Sequence, residues 1–566
     1  MSRAATQATA TDTAPPFEFG LSLAGGVSCG AFSAGAIDFL VEALDAWEAA
    51  RERGDADAPP HQVSLRMVAG ASSGALTSAV LAAALPYQIG PVRADSPESV
   101  QKANPFFTAW VDGTSLHDLL GTADAASSGG VRSLLDPTRV DTVARQAIEY
   151  GASAAPRRRS WLADPLRLAF SVTNLRGVSF SLSNGPGQVR RILSAMHGDL
   201  MRFAFSGLGG APAPAARPNE TAIAAAPHAP DAWDRWGRRF ATAALGSAAF
   251  PVFLPARRQQ PPAGQYAQTS IVLPGAGCGP DELLHPRPEG PAAQPHYEFD
   301  AADGGLIDNN ALDAVRTELA GNDPLACNER DGRLARRAVL LIDPLLGAPK
   351  ADNEPLAPIS LGGTLAALVR TLLDQARLRP QDAALALRSD VYSRFIIAPQ
   401  REDDAGEASS RYLAGASLGG LGGYLAREFR LHDYLLGRRN AQQALATRFV
   451  LHADNPLFRH WSPAQRERFA VDSPDGGTEL PIVPLVGALH PRHGHAEALP
   501  AWPLGKADPA AFAPALDARL GALFSGLVRP WYLRWLLWPL WVLVRRPLRR
   551  RLVSAMAGGL RSHSLA

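Results

Sequence analysis

The chain has 566 residues, 46% of them hydrophobic and 19% charged, and a net charge of +2. That length and balance allow a large buried core and exclude a disordered or fibrous chain, while near-neutrality argues against a dedicated nucleic-acid surface. Three cysteines, Cys29, Cys278 and Cys327, lie too far apart for a disulfide framework or a cysteine-rich zinc site.

Residues 1–16, MSRAATQATATDTAPP, have neither a charged n-region nor an apolar h-region, so they read as a disordered tail with no secretory signal. FEFGLSLAGG (17–26) alternates and then runs apolar into glycines, as a buried strand ending in a tight turn does. The next stretch places Phe32, Ile37, Leu40, Leu44 and Trp47 at helical spacing. A charged break, GDADAPPH, precedes a second strand, VSLRMVAG, and a second helix, GALTSAVLAAAL. Strand, glycine turn and helix, twice over, open an α/β fold with a parallel sheet.

Residues 87–160 read as a mixed insertion outside the sheet, and strand signals return near 165–184. The Ala- and Pro-rich stretch 208–230 reads as loop, RRFATAALGSAAF (238–250) as a buried helix stopped by Pro251, and 256–297 as another surface excursion. AVLLID (338–343) is a short, continuously apolar strand of the kind buried on both faces. Beyond residue 358 the helical pattern dominates.

The C-terminal end differs from the rest. Residues 529–551, RPWYLRWLLWPLWVLVRRPLRRR, hold four tryptophans and seven arginines, and no Asp or Glu follows Asp517. The uninterrupted apolar run, Trp535 to Val544, is ten residues, about half of the ~20 that a spanning helix needs. Trp and Tyr favour the headgroup interface and clustered Arg favours anionic lipid, so the segment is expected at a membrane surface. The alternatives are a Trp-rich helix on the protein's own core, or a span that takes in Arg529 and Arg534.

The pattern G-x-S-x-G occurs three times, at Gly26–Gly30, Gly70–Gly74 and Gly415–Gly419. A serine hydroxyl needs a base to take its proton, and its carbonyl target needs N–H donors for the developing oxyanion. A sharp strand-to-helix turn supplies exposure and donors together. Ser417 has no apolar strand before it and reads as loop. Ser28 also sits between strand and helix, but Ser72 has the stronger surroundings, with SLRMV leading in and Ala71, Gly74 and Ala75 leaving room. The turn at Gly25, Gly26 and Val27 can offer amides to whatever Ser72 attacks, joined by the Ser73 N–H at the start of the second helix. Among candidate bases, Asp303 in FDAADGGLIDNN precedes two glycines, which let a second backbone approach closely; an Asp-Gly turn is the plain alternative.

With AGGVSCGAFSAG, GASSG and DGGLIDNN in this order, the sequence resembles the patatin-like phospholipase family across roughly residues 17–460, with GSAAFPVFLP and HDYLLGRRNAQ adding to the likeness. The resemblance implies a three-layer α/β/α core with a mostly parallel sheet, large insertions and a mainly helical C-terminal part. It implies Ser72 as nucleophile, Asp303 as base without a catalytic histidine, and Gly25, Gly26 and Val27 amides as oxyanion donors. The sequence departs from the family where Val27 replaces a usual third glycine, Cys29 stands at the usual basic residue, and Ala311 replaces a common proline.

The expected domains are a tail (1–16), a catalytic core (17–350) with insertions near 87–160 and 256–297, a helical extension (351–510) and a membrane-interacting tail (511–566). The expected protein is a serine lipid acyl hydrolase needing no metal or organic cofactor. It acts on a phospholipid or other acyl lipid, has no nucleic-acid partner, and is cytoplasmic and peripherally attached to membrane through 529–551. The rivals are a Ser–His–Asp esterase completed by His432 or His452, and a catalytically weak membrane-binding protein, suggested by Val27 and Cys29.

Overall fold

The computed structural model describes residues 15–566 except 127–129, 153, 184–190, 225–230, 274–279, 290–294, 347–360, 378, 402–408 and 474–475. The tail expected over 1–16 lies outside the described residues except for its last two, and parts of the 208–230 and 256–297 stretches do too.

The two expected strand–turn–helix units form: β1 (Phe17–Leu23), α1 (Gly30–Glu52), β2 (Val63–Ala71) and α2 (Ser73–Ala84). A long hairpin follows, β3 (Leu162–Ser183) and β4 (Arg191–Ser206). Then come α3 (Arg238–Ser247), β5 (Arg257–Gln259), β6 (Phe299–Asp303), α4 (Leu312–Leu319), β7 (Arg337–Ile342), β8 (Arg394–Ile397) and α5 (Arg427–Thr447). The chain closes with α6 (Ala513–Leu527) and α7 (Trp531–Ser562).

Strands β8, β7, β1, β2 and β3 are parallel neighbours in that order, with β4, β6 and β5 added antiparallel. Alternation along the strands feeds two layers. Phe17, Phe19, Leu21 and Leu23 join the large core under α1, α2, α3 and α5. Met67, Ala69, Ala169 and Val339 meet Leu312, Val315 and Leu319 of α4 on the other face. This is the three-layer α/β/α arrangement with a mostly parallel sheet. By length and composition α1 could cross a membrane, but 89% of its apolar window is buried, which makes it a core helix.

Two features escaped sequence reading. The partner strand of the hairpin, β4, carries exposed Ile192 and Leu193, so its outer half lacks the alternation that marks a half-buried strand. The strand β8 extends the sheet from beyond residue 390, within the stretch read as mainly helical.

The register of β3 builds the site. Along one of its edges β2 runs parallel and ends with Ala71 opposite Ser171. The antiparallel β6 ends with Asp303 opposite Val172, the next residue, while β4 occupies the other edge. Two strands thus meet end to end, and the residues at their ends, Ser72 and Asp303, are brought together across 231 positions of sequence.

Candidate active site

Ser72 stands between β2 and α2 at φ 51° and ψ −123°, a backbone conformation that non-glycine residues rarely adopt. Small neighbours make the turn possible. A Cβ at Gly74 would lie 2.0 Å from the Leu23 carbonyl oxygen, and one at Gly70 would lie 2.6 Å from the Gly74 backbone. The turn is pinned from α3, where the Ser247 hydroxyl accepts the Ser72 N–H at 2.9 Å. Ser247 is fully buried. Its role is not legible in GSAAFPVFLP, because a serine near a helix end has no distinguishing local signal.

The Ser72 hydroxyl donates to Asp303 Oδ2 at 2.8 Å. Asp303 is itself fixed: its Oδ1 accepts the Gly305 N–H at 2.7 Å and its carbonyl oxygen accepts the Thr173 hydroxyl at 2.7 Å. Gly304 is required here, since a Cβ would come 2.0 Å from the Ser171 carbonyl oxygen. Asp303 is 3% exposed, and burial pushes its carboxyl up to about 6, against the opposing hydrogen bonds from Ser72 and Gly305. A carboxylate that titrates near neutrality is a far better proton acceptor than an ordinary Asp.

That shift gives a pH prediction. The acceptor must be ionised, and a raised value means ionisation is lost as pH falls through about 6. kcat/KM for a soluble ester should be level above pH 7 and fall about tenfold per unit below 6, since it reports the free enzyme's base. A flat profile down to pH 5 would show that Asp303 is not that base.

Of the four anticipated oxyanion donors, two are engaged within the protein. The Gly25 N–H donates to the Asn309 carbonyl at 3.0 Å, and the Gly26 N–H to the Ser73 hydroxyl at 2.7 Å. The Val27 and Ser73 N–H groups have no hydrogen-bond partner among the described residues. Val27 sits at φ 53°, so the backbone keeps the left-handed conformation natural to the glycine it replaces. The loops around Ser72 are zipped together by Asn309, whose side chain also reaches Gly25 O at 3.4 Å.

The other departures have physical reasons or consequences. Ala311 has φ 50°, which proline's ring forbids. Cys29 is fully buried; burial, reinforced by the Asp433 carboxylate, holds its thiol well above its ordinary value despite Arg377, so it is neutral and supplies no positive charge. The histidines are occupied elsewhere: His432 lies between Asp433 and Arg401 at 2.9 and 2.8 Å, and His452 lies beside Arg333 and Asp454. Neither is a hydrogen-bond partner of Ser72 or Asp303. No group of His, Cys, Asp and Glu among the described residues could hold a metal ion.

Along α2 from Ser72, an apolar cavity is lined by Leu76, Val80, Trp110, Val143, Ile148 and Ala244. Leu76 is one turn beyond Ser72 on α2, and Ala244 is on the helix that carries Ser247.

Comparison with known proteins agrees with the sequence motifs. An uncharacterized protein, y4iI, of Sinorhizobium fredii (strain NBRC 101917 / NGR234) is 32% identical over 560 residues, covering 91% of this chain and 76% of its own length. Among solved structures, VipD from Legionella pneumophila is aligned over 76% of this chain and 67% of its own, at 13% identity. The TM-score of 0.23 is too low for that alignment to carry any argument. The family model for patatin-like phospholipase matches residues 21–316, just over half of the chain, from within β1 to within α4 and so across both strands that meet at the Ser72–Asp303 junction, so the chain belongs to the patatin-like phospholipase family.

Proposed function

We propose that the protein is a serine hydrolase of membrane lipids, cleaving fatty acyl esters through Ser72 and Asp303 and a covalent acyl-enzyme. The observation that carries this is the 2.8 Å hydrogen bond between a strained, turn-mounted serine and a buried carboxylate. Ser72 Oγ attacks the ester carbonyl carbon as its proton passes to Asp303. The oxyanion is held by free backbone N–H groups, for which Val27 and Ser73 are the candidates. Collapse breaks the ester C–O bond, and the proton on Asp303 goes to the departing alcohol or lysolipid. Asp303 then takes a proton from water, whose oxygen attacks the acyl carbon, and the fatty acid leaves as Ser72 recovers its proton. The apolar cavity one turn along α2 suits the acyl chain.

The C-terminal helix supports a lipid surface as the place of action. Trp531, Trp535, Leu536, Trp538, Leu540 and Leu543 are each more than half exposed, at positions spread around the helix rather than along one stripe. Trp541 stacks on Phe524 of α6 at 4.8 Å, so one side of the run is packed on the protein and the remaining, exposed side chains suit lipid. The ten-residue run from Trp535 to Val544 rises about 15 Å, half the ~30 Å hydrocarbon thickness, and arginines flank both its ends, so it suits a helix lying in the interface plane with those arginines at headgroup level. The other end of α7 is bound to the protein, with Leu560 buried beside Phe512 and Leu516.

The test is fatty-acid release by full-length protein from a soluble short-chain ester and from anionic vesicles. Because Leu560 and Leu565 are core residues, truncation would expose apolar surface, so the comparison uses Trp531→Ser, Trp535→Ser and Trp538→Ser combined. The triple variant should keep its activity on the soluble ester and lose about tenfold or more on vesicles, with less co-sedimentation, and wild-type binding should weaken with salt. No release from either substrate would favour a catalytically weak scaffold. Equal vesicle activity by both proteins would remove the membrane reading alone.

A further inference from the structure

Two of the three G-x-S-x-G stretches take no part in the dyad, yet the fold presses them together. Ser28, in the first, is fully buried; its hydroxyl donates to Gly420 O at 2.5 Å and accepts the Gly423 N–H at 3.0 Å, with Gly415 O 3.4 Å away. Among the described residues its hydroxyl has only backbone hydrogen-bond partners, and no carboxylate or imidazole is among them. The loop that receives it, Ala414–Tyr424, contains the third stretch.

Three glycines of that loop, Gly415, Gly420 and Gly423, are accounted for by what they touch. A Cβ at Gly423 would come 2.5 Å from Ser28 Oγ, and one at Gly415 3.2 Å from the same atom. Gly420, at φ 96°, would put its Cβ 3.2 Å from Val27 Cβ. The loop is tied from behind by α5: Asp433 accepts the Ala414 and Gly415 N–H groups at 2.8 Å each, and Arg430 donates to Gly423 O at 2.6 Å. These two residues lie in and beside HDYLLGRRNAQ, the stretch singled out in the sequence without a role.

Against this loop lies Val27, a β-branched residue held left-handed, whose N–H has no partner among the described residues. Such a conformation persists only where surrounding structure over-determines it. Relaxing φ to the right-handed side would rotate the Gly26–Val27 peptide plane and swing that N–H away.

We infer that Ser28, locked by the Ala414–Tyr424 loop, is a positioning residue that keeps the Val27 N–H aimed at the oxyanion formed on Ser72. This rests on the proposed acyl-transfer role of Ser72 and Asp303. The loop closes one side of the oxyanion site from more than 380 residues away in sequence, which ties that site to α5.

The test compares full-length wild type, Ser28→Ala, Ser28→Cys and Gly420→Ala on a soluble p-nitrophenyl ester, with thermal unfolding in parallel. Removing an oxyanion donor outright lowers kcat about 10²- to 10³-fold, so a misaimed one should lower it about 10- to 100-fold in Ser28→Ala, with KM within about threefold. Ser28→Cys, which can still donate and accept weakly, should recover part of the loss. Gly420→Ala, whose added methyl would meet Val27 rather than the Ser28 side chain, should show the same loss confined to kcat. If Ser28→Ala does not fold, the other two variants decide. Wild-type kcat in folded Ser28 and Gly420 variants, or a loss in KM alone, would overturn the inference while leaving the dyad standing. A wild type without esterase activity would overturn both.

Discussion

Asp303→Asn should lower kcat for ester hydrolysis by about 10³-fold or more with little change in KM. Asparagine has the same shape and its amide oxygen can still accept the Gly305 N–H, so the loop that holds the residue should survive. What it lacks is any capacity to take a proton from Ser72 Oγ. Position 303 is buried, and among the described residues no histidine is hydrogen-bonded to Ser72, so no second base is at hand there. His432→Gln and His452→Ala, by contrast, should each keep activity within about tenfold, since those rings bond to Arg401, Asp433, Arg333 and Asp454. Steady-state kinetics on the three variants separates the mechanisms: a loss of several orders of magnitude in a folded histidine variant would restore the Ser–His–Asp triad.

The largest effect on stability is expected at the crossing of α1 and α5. There a Cβ at Gly437 would lie 2.0 Å from the Phe32 carbonyl oxygen, and one at Gly35 would lie 1.9 Å from the Tyr434 carbonyl oxygen. The two helix backbones are in contact, and no rotamer change can make room. Overpacking a tight core costs about 1–3 kcal/mol, and a clash with backbone belongs at or above the top of that range. Gly437→Leu should therefore destabilise the protein by about 3 kcal/mol or more, seen as a fall of several degrees in Tm. Because α5 also carries Arg430 and Asp433, which tie down the loop at Ser28, activity should fall before global unfolding. An unchanged Tm would mean that the helices can separate without cost, and that α5 is not a rigid support.

Much of this was legible locally. The β1–α1 and β2–α2 units announce themselves because each has its own hydrophobic period and a glycine break, and neither depends on distant partners. Ser72 and Asp303 were legible because chemistry demands small residues around each, and those glycines are visible in the sequence. Ser28, Val27 and Ser417 were not legible in the same way. As isolated five-residue patterns they look like failed nucleophile turns, and only the contact between Ser28 and the Gly415–Gly423 backbone gives them another use. Ser247 and the end-to-end meeting of β2 and β6 depend on pairings about 100 or more residues apart, about which periodicity is silent. The C-terminal segment divides similarly. Its Trp- and Arg-rich run was readable, whereas its continuation as one helix to Ser562, through Pro539 and Pro547, depends on Leu560 finding a core to enter.

The central claim is that one residue, Ser72, forms the covalent intermediate. Reaction of the full-length protein with a fluorophosphonate probe, followed by mass-spectrometric mapping of the adduct, tests it most directly. A single adduct is expected on Ser72, absent from Ser72→Ala and strongly slowed in Asp303→Asn. An adduct on Ser28 or Ser73, or undiminished labelling of Ser72→Ala, would contradict it.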